Sequence, residues 1–277
     1  MEDYLYIHGG NVSFLRDGKL IYTPGMSMSW NISHMISNRA GISQVNTSLS
    51  IPLASSWTNQ SLKMIETAKH EQMPHFTGPS MWMDDTTQSI ILWGEGQDGS
   101  NTYLNSTKLW KLSVDGAGGG IWQFQDPRDV TEYATLQHAS ESLYSTCAGA
   151  GIALGGVMQA STLVPGLLTY NLTTREFNNE TAQPFTIHGT DAAGDSMCLS
   201  NFGQNGLVLF LGGFTNNDLD WWTFNEDGPG LVSFDNITLY DPITKEWYSQ
   251  TTTGNRPAGR EGFCASGIQS PDGSYEV

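Results

Sequence analysis

The sequence predicts an all-β fold assembled from repeated four-stranded units. Two recurring phrases and one compositional bias lead there. An apolar run closing in glycine appears as YLYIHGG at 4–10, IILWGEG at 90–96, GIALGG at 151–156 and LVLFLGG at 207–213. A second phrase, an apolar run that turns and returns on an aromatic residue, follows each copy. Charged residues are only 14% of the chain, below the roughly 25% usual in globular domains. Ser, Thr, Asn and 31 Gly take their place, a mixture that favours strands and turns. Phrases that return at intervals of this size mark a repeat architecture.

The second phrase is clearest in YDPITKEW at 240–247, which aligns without a gap with YNLTTREF at 170–177. Asp241 stands opposite Asn171, Lys245 opposite Arg175, and Trp247 opposite Phe177. Asp or Asn ending a strand bonds the backbone two residues on, and proline presets φ for the first turn position. The aromatic that opens the returning strand buries a large face. SIPLASSW at 50–57 fits the frame with Pro52 opposite Pro242, and LSVDGAGGGIW at 112–122 fits with three extra residues. The closing aromatics are Trp57, Trp122, Phe177 and Trp247, at spacings of 65, 55 and 70 residues.

A third piece precedes each glycine phrase: GPSMWMDD at 78–85, LYSTCAGA at 143–150, GDSMCLSN at 194–201 and GREGFCASG at 259–267. Each reads as a short strand. The unit is thus strand, strand ending in twin glycine, strand, turn and strand, which is the blade of a β-propeller. The blades span approximately 1–66, 78–130, 140–182 and 192–252, with a partial one at 256–277, all in a single domain over 1–277. The repeat glycines are Gly9, Gly10, Gly94, Gly155, Gly156, Gly212 and Gly213, with Glu95 in place of one of them. Glycine there supplies φ > 0 and close backbone approach.

These residues resemble the kelch repeat family: twin glycine, then Tyr and Trp around LYDPITKEW. The resemblance covers essentially the whole chain. It implies a kelch-type β-propeller of about four to five four-stranded blades, forming an incomplete ring. The last strand-like segment either pairs with YLYIHGG and closes a small ring, or the chain is a piece of a longer propeller. The second is preferred, because SYEV breaks off where a Gly-Gly strand should follow. The Asn-rich style is similar to the cell-surface kelch proteins of filamentous fungi.

The net charge of −16 opposes binding to nucleic acid or anionic lipid. No apolar run approaches the ~20 residues of a membrane span. No signal peptide is visible at the start, yet eight Asn-x-Ser/Thr sequons point to the secretory route. They are Asn11, Asn31, Asn46, Asn59, Asn105, Asn171, Asn179 and Asn236. The expected location is therefore extracellular or at the cell surface. Cys147, Cys198 and Cys264 fall in the first strands of successive blades, where equivalent positions are expected to lie beyond the ~7 Å Cα limit for a disulfide. Buried free thiols are the expectation.

Two local patterns are set aside. GEGQDG at 94–99 satisfies G-x-G-x-x-G, but a strand-like sequence follows it where a dinucleotide site needs a helix. HEQMPH at 70–75 spaces its histidines by five, with a proline that breaks the helix a zinc motif requires.

No catalytic motif, metal ligand set or cofactor site is recognised. The expected function is a non-catalytic interaction module that binds a protein or a glycan through long loops on one propeller face. The long second-to-third loop FTNNDLDWWTFNEDGPGL carries the candidate contacts Asp218, Asp220, Trp221 and Trp222, since exposed aromatics flanked by carboxylates anchor partners. The resemblance leaves two alternatives, a copper-radical-oxidase-like kelch enzyme and an intracellular kelch adaptor.

Overall fold

The computed structural model describes residues 4–8, 12–16, 19–23, 47–54, 56–58, 61–76, 78–97, 103–104, 108–159, 162–182, 184, 190–215 and 230–277, with 12–16, 19–23, 75, 97, 103 and 104 described by backbone alone. Antiparallel sheets follow one another in chain order. Sheet A joins Tyr4–Ile7, Thr47–Pro52 and Ile65–Ala68. Sheet B is built from Ser80–Asp84, Ser89–Trp93, Leu109–Val114 and Gly120–Gln125. Sheet C holds Leu143–Cys147, Ala150–Leu154, Leu167–Asn171 and Phe177–Glu180. Sheet D holds Asp195–Leu199, Leu207–Leu211, Asn236–Tyr240 and Trp247–Thr251. Sheets B, C and D share the strand order one-two-three-four. Among the described residues the one α-helix is Val130–Thr135, between B and C, capped by the Asp129 carboxylate on the Thr131 and Glu132 amides.

Sheets B, C and D are apolar on both faces, and period-two alternation sorts their side chains between two neighbours. Ile90 and Leu92 of B join Tyr6, Trp110 and Trp122 in the seam with A. Ile91 and Trp93 turn the other way, into the seam with C beside Ala153, Leu168 and Tyr170. Ile152 and Leu154 of C meet Val208 and Phe210 of D. Leu209 and Leu211 of D face Phe263, Ala265 and Tyr275. A second strand such as SIILW is therefore buried along its whole length, and its continuous apolar run reflects two partners rather than one. Fully burying one such side chain is worth about 1.5–3 kcal/mol, so the four seams hold the fold together. Trp82 crosses the B–C seam. Its ring stacks on Tyr170 at 5.6 Å, and its Nε1 donates to the Ile152 carbonyl at 3.0 Å. Gly151 makes the space, because a Cβ there would lie 2.3 Å from the indole.

The hairpins at 170–177 and 240–247 have the same structure, as their alignment predicts. Asn171 Oδ1 accepts from the Thr173 and Thr174 amides at 3.0 and 2.8 Å. Asp241 Oδ1 accepts from Ile243 and Thr244 at 2.8 and 3.0 Å. Arg175 and Lys245 take left-handed φ of 63° and 64°. Tyr170 packs on Phe177 at 4.6 Å and Tyr240 on Trp247 at 4.7 Å. Each tyrosine hydroxyl also reaches the last strand residue of the preceding sheet: Tyr170 accepts from Gln125, and Tyr240 donates to Glu180.

Four expectations need correction. Trp57 does not open a returning strand. It is exposed and lies outside any strand, and the return begins at Ile65, paired with Ser50. SIPLASSW has no Asp or Asn to close the turn, and Pro52 is still in its strand opposite Tyr4. Residues 259–267 form no strand. They nonetheless run beside the first strand of D, with Gly262 N donating to the Ala193 carbonyl and Ala265 N to the Asp195 carboxylate. The stretch from about Asn11 to Asn46, which the sequence reads as another long second-to-third loop, contains a hairpin in which Val12–Arg16 pairs with Lys19–Thr23.

The cysteine expectation is the fourth. Cys147 and Cys198 form a disulfide, S–S 1.98 Å, with Cα atoms 5.3 Å apart. The first strands of C and D pack directly together, and this convergence brings the Cα atoms within bridging distance. Cys264 is free and exposed rather than buried.

Candidate interaction face

Because the first two strands of each sheet are antiparallel, the segment entering the first strand and the loop leaving the second lie at the same end. Ser80 pairs with Trp93, Leu143 with Leu154, and Asp195 with Leu211. At the opposite end, the first and second strands of sheets B and C are joined by short turns, 85–88 and 148–149. The loop-bearing end collects the twin glycines and every connection from one sheet to the next.

Its backbone repeats from sheet to sheet. Gly78, Glu141, Ala193 and Gly262 all take left-handed φ, of 47°, 56°, 55° and 63°. Each stands shortly before a first strand or its counterpart. They are linked in series: Glu141 N donates to Gly78 O at 2.9 Å, Ala193 N to Glu141 O at 2.8 Å, and Gly262 N to Ala193 O at 2.7 Å. The twin glycines form a second series beside it. Gly156 N donates to Asp191 O and Gly213 N to Arg260 O, both at 2.8 Å. Gly155 and Gly212 share φ of 58°, and Gly156 and Gly213 have φ of 97° and 89°. A Cβ on Gly155 would fall 2.1 Å from Asp191 O, and one on Gly156 2.5 Å from Ser140 O. The glycine phrase is therefore an inter-sheet contact. In sheet B, Gly94 keeps a positive φ of 149°, while Glu95 takes the second place.

Glu95 is only 6% exposed, and both its carboxylate oxygens accept from the Gln159 amide, at 3.0 and 2.9 Å. The worn repeat position thus ties B to the hairpin that follows the second strand of C. Burial pushes the carboxyl up to about 7, against the opposing pull of the Gln159 amide. The folded chain holds this proton more tightly than the unfolded one. Stability from this group is thus fully present below the usual carboxyl range and is lost as pH rises through about 7. Glu95→Gln should raise the melting temperature by roughly a few degrees at pH 8 and leave it nearly unchanged at pH 4. Thermal melts of the two proteins at both pH values check this.

Burial shifts other ionisable groups at this end toward their uncharged forms. Burial raises Asp191 well above the carboxylate range, against the pull of the Ala192 amide, which donates to its Oδ1 at 2.8 Å. Burial also raises Glu141, with the Glu261 charge adding to it, and raises Glu261. Burial brings His138 down to about 4; its ring packs on Trp93 at 4.4 Å and against Tyr133 at 4.9 Å. Sequence reasoning missed Glu95, Asp191 and His138. Only Glu95 had a signal, as the departure from twin glycine.

Gly94, Gly155, Gly156, Gly212 and Gly213 lie at this end. Trp122 and Phe177 are buried and Trp247 is half-buried. Asn171, Asn179 and Asn236 are exposed on sheets C and D. Asp218, Asp220, Trp221 and Trp222 lie outside the described residues, as do Gly9, Gly10, Asn11, Asn31, Asn46, Asn59 and Asn105. Phe214 and Leu231, which flank the segment holding Asp218 and Trp222, meet at the connection between sheets C and D, where Phe214 bridges Ala192 and Leu231. The residues after Gly94 enter a small sheet through Gly96–Gln97 and Tyr103–Leu104. His75 likewise lies in a strand. No helix of the described residues is long and apolar enough to cross a membrane.

No family model matches this sequence, and no curated protein does. Among solved structures, the chain is similar to that of YjhT at 14% identity and a TM-score of 0.42, over 68% of this chain and 54% of that one. The chain thus spans about half the length of that structure.

Proposed function

We propose that the chain is a kelch-type β-propeller segment of about four to five blades, acting outside the cell as a non-catalytic module that binds a protein or glycan. One observation carries the reading: like-built sheets follow one another in series and send their long connections to a common end. Sheets apolar on both faces and joined by repeated backbone links suit radial stacking about an axis. In such an arrangement the first strands are innermost, which agrees with the contact between those of C and D. The loop-bearing end is then one face, and Thr215 and Gly230, which flank the segment holding Asp218, Asp220, Trp221 and Trp222, are joined there by a backbone hydrogen bond of 2.8 Å. Kelch resemblance supports binding over catalysis only by analogy, and the composition of that segment supplies the candidate contacts.

The disulfide and the exposed sequons support the compartment, since disulfides persist in oxidising environments. Protein expressed in its natural host should lose mass on glycosidase F digestion. Thr173→Ala should remove one glycan's mass while leaving the Asn171 turn intact, because that turn uses only the Thr173 backbone amide. An unchanged mass in both experiments would place the chain elsewhere.

The binding test uses the full chain, immobilised against a glycan array and against solubilised surface proteins of the host. The variant Asp218→Ala, Asp220→Ala, Trp221→Ala, Trp222→Ala should lose captured ligand at least about tenfold, with an unchanged melting temperature, as truncated hot spots do. Equal capture by the variant, or capture of nothing by the parent, would overturn the proposal.

A further inference from the structure

We propose that Lys69 is a reactive amine of this chain, a site where small aldehydes condense to an imine in the cleft between the last strands of sheets A and B. The inference does not depend on the propeller reading. Lys69 directly follows Ile65–Ala68. It lines an open cleft of about 530 Å³, whose far wall is the hairpin around Gly119, Ile121 and Trp122.

The titratable groups sharing the cleft are Glu66 and His70 from its own segment and Asp115 from the hairpin. Asp115 Oδ1 is already engaged by the Ala117 and Gly119 amides, at 2.8 and 2.9 Å. No carboxylate among the described residues forms an ion pair with Lys69.

Other lysines differ. Lys245 pairs with Glu180, Lys108 lies over the Phe124 ring, and Lys111 donates to Thr87. Lys63 is exposed. A lysine that gives up hydration without gaining an anion favours its neutral, nucleophilic form. In keeping with this, burial brings the Lys69 ammonium down to about 8.

The condensation is balanced without an oxidant or reductant. The Nζ lone pair bonds to the carbonyl carbon, and the C=O π pair moves to oxygen. The carbinolamine then loses its oxygen, with the two hydrogens of the amine, as one water. An open cleft admits the aldehyde and releases that water.

The test treats the native full chain with propionaldehyde and cyanoborohydride, which traps the imine, followed by peptide mapping. At pH 7, Lys69 should be alkylated at least about tenfold faster than Lys63. The ratio should shrink toward pH 10, as Lys63 deprotonates. Lys69→Arg should abolish the fast site and leave the Lys63 rate unchanged. A Lys69 rate at or below that of Lys63 at pH 7, a ratio independent of pH, or a fast site that survives in Lys69→Arg would overturn the proposal.

Discussion

Replacing both Cys147 and Cys198 by alanine is expected to lower unfolding stability by about 2–4 kcal/mol. The bridge closes a loop with a sequence separation of 51 residues, and for loops of this size the chain-entropy account gives about 4 kcal/mol. Two features bear on the realised value. Cys147 is 2% exposed, so alanine leaves a small void in the C–D seam and adds to the loss. The C–D seam is also held by Leu143, Ile152, Leu154, Val208 and Phe210, so the reduced chain should retain much of it. Urea denaturation should show the variant's midpoint shifted down with the slope unchanged. Reductant should bring the parent to the variant's midpoint and leave the variant where it is. Coincident curves for parent and variant in non-reducing buffer would show that the bridge contributes nothing.

Gly213→Val should have the larger effect and abolish soluble folding. A Cβ there would lie 2.2 Å from Asp191 Oδ1 and 2.7 Å from Ala192 O, and φ is +89°. Left-handed backbone costs a non-glycine residue roughly 1–2 kcal/mol. The steric overlap adds to this, because the Ala192 carbonyl is held by Phe214 N at 3.0 Å and cannot yield. Gly254 separates the two contributions. Its φ is +84°, but nothing lies within 4 Å of a Cβ. Gly254→Ala should therefore cost only the backbone share, about 1–2 kcal/mol, with normal yield. Comparable soluble yields for Gly213→Val and Gly254→Ala would contradict the assignment of twin glycine to inter-sheet contact.

What the sequence made legible was local. The turns at 170–177 and 240–247 are specified within eight residues by an Asx side chain and an aromatic, and they have the expected structure. Twin glycines are legible for the same reason, since φ > 0 is a demand of one residue on itself. The first turn phrase was misread because Pro52 and Trp57 matched by identity while the side chain that makes the turn was missing. The disulfide was invisible for a different reason. It depends on how closely two sheets approach, a distance that no single strand encodes. Glu95, Asp191 and His138 are shifted by burial between sheets, which is likewise a property of the assembled seams. The candidate loop is read from composition alone, through its paired tryptophans and carboxylates, and lies outside the described residues.

Sheets that bury both faces against successive neighbours make cohesion a nearest-neighbour quantity. Damage in one seam is felt most by the two sheets it joins and fades beyond them. The covalent staple between C and D therefore marks the place least prone to open, and unravelling should begin at the outlying sheets and travel inward toward it.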